Sequence, residues 1–305
     1  MKKFLLIALV ITTVSGISYA QQDPQFSQNM FNKLYSNPAV AGSNDGICAS
    51  LLYRNQWTGF DGAPKTGVFG VDAPVNFLHG GLGVSVLVAD ELGFEKTFQA
   101  KLAYAFRFNI GSGNLAIGAD IGLLQKSIDG DFVANDQGDP IIPTSGVSGN
   151  TYTDLGAGIY YNSDKLYLGA SASHLAEPTI DYGDFTTQMD RHYYFTGGYR
   201  FDLSPAISLT PSFFVKNAGD QTQADINANL HFNNRFWIGG SYRLEDAIVI
   251  MAGLNITPTL RLGYSYDMTT SELQDYSSGT HEIMLGYCYK IKKKITPINR
   301  NVRFL

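Results

Sequence analysis

The residues best suited to chemistry are His174, His192, His231 and His281, each with polar neighbours. A hydrolase on such residues needs an activated nucleophile beside the base, and no nucleophile motif accompanies any of the four. His281-Glu282 stands alone, not in the two-histidine helical pattern of a zinc peptidase. No glycine-rich phosphate loop occurs. Asp129, Asp131, Asp136 and Asp139 lie among glycines in 127–150, and calcium takes six to eight oxygen ligands. Their spacing departs from that of an EF-hand loop, and a solvated acidic loop accounts for them. No catalytic residue, metal site or cofactor is therefore expected. The formal net charge of -5 gives no basic footprint for nucleic acid.

The elements that must position these side chains are strands. Only 16% of residues are charged, 13% are aromatic and 32 are glycine, whereas a soluble domain carries about 25% charged residues. In 97–109, Phe98, Ala100, Leu102, Tyr104, Phe106 and Phe108 alternate with Thr97, Gln99, Lys101, Ala103, Ala105, Arg107 and Asn109. Successive strand side chains point to opposite faces, so this segment has one apolar and one polar side. The stretch 222–233 repeats the pattern, with Ala224, Ile226, Ala228, Leu230 and Phe232 opposite Gln223, Asp225, Asn227, Asn229 and His231. A soluble β-sandwich also alternates, but its outward face should be charged. Here the polar sides are rich in Gly, Ser, Asn and Tyr.

The expected fold is all-β, an antiparallel up-and-down transmembrane barrel of about 14 strands, near 46–57, 65–75, 80–90, 93–109, 113–126, 151–162, 164–176, 187–202, 205–217, 220–233, 235–245, 246–257, 259–270 and 279–291. Short turns such as Gly111-Ser112 and Asn233-Asn234 alternate with longer connections at 58–64, 127–150, 177–186 and 271–278. Outer-membrane barrels put short turns in the periplasm and long loops outside. Residues 1–20 read as a signal peptide, with Lys2 and Lys3 before an apolar core at 4–14 and cleavage after Ala20. Residues 21–45 form an N-terminal periplasmic or plug segment, 46–291 the barrel, and 292–305 a basic periplasmic tail.

The polar barrel face carries Lys101, Arg107, Asp120, Asp154, Arg200, Asp225, Arg243, Arg261, Asp267 and Glu282. Mixed signs point to ion pairs across a filled lumen, whereas a selective pore more often carries a ring of one sign. In the N-terminal segment Phe26, Met30, Phe31 and Leu34 recur at near-helical spacing. Ser27 is a candidate cap, and Asn37-Pro38 a stop. The segment is either a plug or docking element at the inner mouth, or a tail covering the rim. Cys48 and Cys288 open the first strand and close the last. Those strands are antiparallel neighbours in a closed barrel, so the thiols face each other across the seam. There they are either joined, as the oxidising envelope allows, or left as two small lumen-filling groups.

Four groups of residues also carry a family resemblance. They are Gln22-Asp23-Pro24-Gln25-Phe26-Ser27-Gln28 with Met30-Phe31-Asn32 and Asn37-Pro38-Ala39-Val40-Ala41-Gly42-Ser43; Arg54-Asn55-Gln56-Trp57 with Gly62-Ala63-Pro64-Lys65-Thr66; His192-Tyr193-Tyr194-Phe195-Thr196-Gly197-Gly198-Tyr199; and Gly263-Tyr264-Ser265-Tyr266-Asp267 with Tyr276-Ser277-Ser278-Gly279-Thr280-His281-Glu282. Together the chain resembles the PorP/SprF proteins over essentially its mature length. The resemblance implies an outer-membrane component of the type IX secretion system. Its partners would be a secreted cargo with a type IX sorting domain, other secretion components and outer-membrane lipid. Adhesins with a type B C-terminal domain, including those of gliding motility, are one cargo class. The candidate partner-binding residues are Phe26, Met30 and Phe31 in the N-terminal segment, Trp57 and Phe60 in the first long loop, and Glu272, Asp275 and Tyr276 in the last. Trp57 also suits an interfacial aromatic girdle. The rival readings are a diffusion channel or hydrophobic-solute transporter on the same fold, and an outer-membrane hydrolase.

Overall fold

The computed structural model describes residues 23–44, 46–91, 93–128, 147–183 and 186–290. Fourteen antiparallel strands close into a barrel: β1 (Gly46–Asn55), β2 (Lys65–Val75), β3 (Gly80–Glu91), β4 (Glu95–Ile110), β5 (Gly113–Ile128), β6 (Val147–Asn162), β7 (Leu166–Ser173), β8 (His192–Tyr199), β9 (Ile207–Ala218), β10 (Gln221–Phe232), β11 (Phe236–Arg243), β12 (Ala247–Asn255), β13 (Leu260–Thr269) and β14 (Thr280–Lys290). Each strand pairs with its neighbours in sequence, and β14 returns to β1, with Gly46 opposite Lys290 and Asn55 opposite His281. Closure leaves no sheet edge, so every strand's ladder is satisfied inside the bilayer.

The alternation decides which side faces lipid. Phe98, Leu102, Tyr104, Phe106 and Phe108 on β4 are exposed on the outer wall, while Thr97, Gln99 and Lys101 are buried inside. On β10, Ile226 is exposed while Asp225, Asn227 and Asn229 are buried. The usual arrangement of a soluble protein is inverted, as a lipid-facing barrel requires. No helix of the described residues is long and apolar enough to cross a membrane.

Two expected spans are shorter at the long-loop end by three residues or more. The seventh strand stops at Ser173 rather than 176, because His174 takes a left-handed backbone (φ 54°). The eighth begins at His192 rather than 187, because Thr179–Asp181 and Thr186–Gln188 pair with each other in a separate small hairpin. The sixth instead begins earlier, at Val147. The four loop aspartates, the leader and the basic tail lie outside the described residues.

Residues 23–44 run down the inside of the barrel. Asp23 lies at the long-loop end, beside His174, His192 and Lys216. Gly42 lies at the short-turn end, where its N–H donates to Asp72 at 2.7 Å. Between them stand a 3-10 turn (Asn29–Phe31), one helical turn (Lys33–Ser36) and a second 3-10 turn (Pro38–Val40). The extended Asn37 ends the helical turn, and its side chain accepts the Ala39 N–H at 2.9 Å. Ser27 caps nothing; its hydroxyl is used by the wall. Close approach depends on a glycine in β5: a Cβ at Gly118 would sit 2.5 Å from Ala39 Cα.

Candidate functional site: the filled lumen and the long-loop rim

The first lumen cluster lies around Ser27. Arg54 on β1 pairs with Asp267 at 2.9 Å and Glu282 at 3.2 Å. Arg243 on β11 pairs with Asp225 at 3.1 Å and Asp267 at 3.2 Å. The plug completes the set. Ser27 Oγ donates to Asp267 and accepts from Arg54 and Arg243. The backbone N–H groups of Ser27 and Gln28 donate to the two Glu282 oxygens at 2.9 and 2.8 Å. Gln25 and Asn29 both donate to Asp225. Two guanidinium groups thus face three carboxylates, and plug donors satisfy the remaining oxygens. Charges this deeply buried persist only when paired and hydrogen-bonded.

The second cluster clamps Asp23. His174 Nε2 lies 3.1 Å from Asp23 Oδ1 and Nδ1 lies 3.0 Å from Asp154 Oδ1. Tyr194 donates to Asp23 Oδ2 at 2.7 Å, and Lys216 donates to the Asp23 carbonyl at 2.6 Å. Asp154 also pairs with Lys101 at 3.1 Å. Burial by itself would push the Asp23 carboxyl up, but His174 beside it holds it well below the usual carboxylate range. Ligand atoms of Asp23, His174 and His192 lie within 4.8 Å of one another, a spacing that could suit a metal ion. Their hydrogen bonds claim the lone pairs instead: His174 gives both ring N–H groups to carboxylates. His192 Nε2 accepts the Asp23 backbone N–H, and its Nδ1 donates to the Asp190 carbonyl.

At the short-turn end Arg107 donates to the carbonyls of Val40, Ala41 and Gly42. Arg200, expected in the lumen, is instead exposed at the short-turn rim and pairs with Asp202 at 2.9 Å, because it lies at the end of the wall, just before the last paired residues Phe201 and Asp202. Arg54, absent from the polar barrel face expected from the sequence, is a buried lumen residue at 3% exposure. It belongs to the inward parity of β1.

The expected partner-binding residues fall into two separate places. Phe26 is buried against Tyr35, Leu52, Val68 and Leu87, and Met30 and Phe31 pack on Trp237 and Met251. These three line the plug's contact with the wall. Trp57, Phe60, Glu272, Asp275 and Tyr276 lie together at the long-loop rim, because β1 and β14 are neighbours. Their loops are joined by backbone bonds from Thr58 to the Gly279 carbonyl at 2.8 Å and from Ser278 to the Thr58 carbonyl at 2.7 Å. Trp57 is half-buried, its N–H donating to Thr280 Oγ1 at 3.0 Å. Tyr276 follows the 3-10 turn Glu272–Asp275 and is 70% exposed.

At the short-turn end of the same seam, Cys48 stands opposite Cys288 in the β1–β14 register, Cα atoms 4.1 Å apart, and the sulfurs are joined.

An apolar outer wall around a charged interior, with long loops at one end, defines an outer-membrane β-barrel, here one whose lumen holds its own N-terminal segment. The family model for the type IX secretion system membrane protein PorP/SprF matches residues 18–287, and the chain belongs to that family. This is a family of secretion-system membrane proteins rather than of enzymes, and it implies association with other type IX secretion components. A search of curated proteins finds no match. Among solved structures the chain is similar to the outer membrane protein Omp33 of Acinetobacter baumannii (9% identity, TM-score 0.46, 80% of this chain and 98% of that one). It is also similar to the toluene transporter TbuX of Ralstonia pickettii (10%, 0.47, 85% and 93%) and to a Pseudomonas aeruginosa FadL homologue (12%, 0.47, 90% and 96%).

Proposed function

We propose that this barrel binds a secreted cargo protein, of the adhesin type with a type B C-terminal domain, and supports its export or its anchoring at the surface. The observation that carries this reading is the filled lumen. Residues 23–44 are tied to the wall from end to end by hydrogen bonds into its buried charged groups, an arrangement suited to a docking scaffold rather than to solute flow. Membership of a secretion-system family supports the same reading. The long-loop rim supports it too, because Phe60 and Tyr276 stand exposed there, aromatic side chains of the kind enriched where proteins meet, with Glu272 and Asp275 as a polar surround.

The test is affinity purification of the tagged barrel from detergent-solubilised outer membranes, with mass spectrometry of what accompanies it. A large protein with a type IX sorting domain is expected. Replacing Phe60 and Tyr276 together by Ala is expected to lower its recovery about tenfold, as loss of an aromatic anchor does, with the barrel still folded. Recovery of the barrel alone, from cells whose deletion strain still displays its surface proteins, overturns the secretion reading. A diffusion channel or hydrophobic-solute transporter then replaces it, with steady current across a planar bilayer as its signature.

A further inference from the structure

The short-turn end of the barrel holds a cavity of about 410 Å³ between plug and wall, within the range of ligand pockets. Three kinds of surface meet there. Met30, Phe31 and Leu34 give it an apolar side. Lys33 and Arg261 give it two cations, and neither has a carboxylate within ion-pair distance among the described residues. Lys33 Nζ rests 3.5 Å from the Tyr167 ring centroid, and the Arg261 guanidinium rests 5.0 Å from that of Phe31. Arg261 Nε donates to Asn255 at 3.1 Å, which leaves its two terminal amino groups unused. Asp72 also borders the cavity, its carboxylate accepting the Gly42 N–H.

The third surface is polar and uncharged, with Asn255, Thr257 and Thr259 bordering the cavity. The neighbouring lining is built from Asn and Thr side chains, so it suits a peptide backbone better than an alkyl chain.

We propose that this cavity binds the carboxylate-bearing, apolar end of a periplasmic polypeptide. The carboxylate bridges Lys33 and Arg261, and an apolar side chain covers Met30 and Leu34. Access is from the periplasm, because Thr257, Pro258 and Thr259 of a short turn form part of the mouth. The site lies at the opposite end of the barrel from the long-loop rim and stands whether or not cargo docks there.

The test is calorimetric titration of the full-length protein in detergent with acetyl-Ala-Leu-Phe as the free acid and as the C-terminal amide. The acid is expected to bind at least about tenfold more tightly than the amide, the scale of one charge-assisted hydrogen bond. Lys33→Gln and Arg261→Gln are each expected to weaken the acid about tenfold, with Lys33→Arg retaining binding. No binding of the acid, or equal affinity for acid and amide, overturns the proposal on the unaltered protein, with no dependence on variant folding. Unchanged affinity in both Gln variants also overturns it. Displacement of the peptide by decanoate at lower concentration assigns the cations to a lipid carboxylate and overturns the peptide assignment.

Discussion

His174 sits between two carboxylates, and each ring nitrogen can bond one of them only by carrying a proton, so the ring is imidazolium. Burial opposes that charge, but Asp23 and Asp154 outweigh it and raise its pKa to about 9, with Lys101 opposing. A histidine raised in the folded state contributes stability that is fully present below its unfolded pKa of about 6.5 and lost as pH rises through about 9. The contribution is on the order of 3 kcal/mol. The temperature at which the compact electrophoretic band converts to the unfolded one should therefore fall between pH 6 and pH 10. His174→Gln should flatten that dependence, and an identical slope in both proteins counts against the assignment. Asp23, Asp154, His192 and Lys101 are the groups facing His174, so the variant isolates this ring. Arg243 offers a second residue-scale measurement. Arg243→Met strands Asp225 without its cation and leaves Asp267 to Arg54 alone, and breaking such a buried pair costs about 3–5 kcal/mol. The same band-shift midpoint should drop well below that of the unaltered protein.

At the scale of the element, the plug is held by groups the strands present inward rather than by its own regular structure. Its only helices are three short turns, too short to persist alone in water. Its near-helical apolar spacing is visible in the sequence, and so is the Asn37-Pro38 stop. That Phe26 faces Leu52 and that Ser27 joins Arg54 to Asp267 follow only from the curvature of the wall, which brings β1, β11, β13 and β14 around one point. Deleting 23–42 should leave the strand ladders intact and empty the lumen. The deleted protein is expected to give sustained current steps in a planar bilayer while the full chain stays quiet. A silent deletion variant that is still folded means that other groups close the barrel.

For the whole molecule, the Cys48–Cys288 bond joins residues 240 apart at the one place where the first and last strands meet. In the chain-entropy view a crosslink closing so long a loop restricts the unfolded chain by on the order of 5 kcal/mol. Denatured, unreduced protein should show no reactive thiols, and reduction should lower the unfolding midpoint. Two reactive thiols before reduction would remove this bond from the account. The seam also explains why the first and last long loops form a single surface: residues distant in sequence are joined there because the barrel closes.

The sequence by itself determined the strands and their number. A period of two with apolar residues on one side is a local signal, and the same side must face lipid along every strand. It also made the interior legible as mixed in charge, since the inward parity can be counted from any one strand. Parity did not fix where strands end. Arg54 was hidden because it sits near the boundary of strand and loop, and Arg200 was misplaced because parity does not say how far along the wall the filled lumen extends. Only the tertiary structure decided which charges meet and that the N-terminal segment runs from the long-loop end to the short-turn end. It also decided that Asn32, Lys33, Asn229 and Arg261 border one cavity. Those pairings depend on the closure and radius of the barrel, which set distances between residues that no local pattern connects.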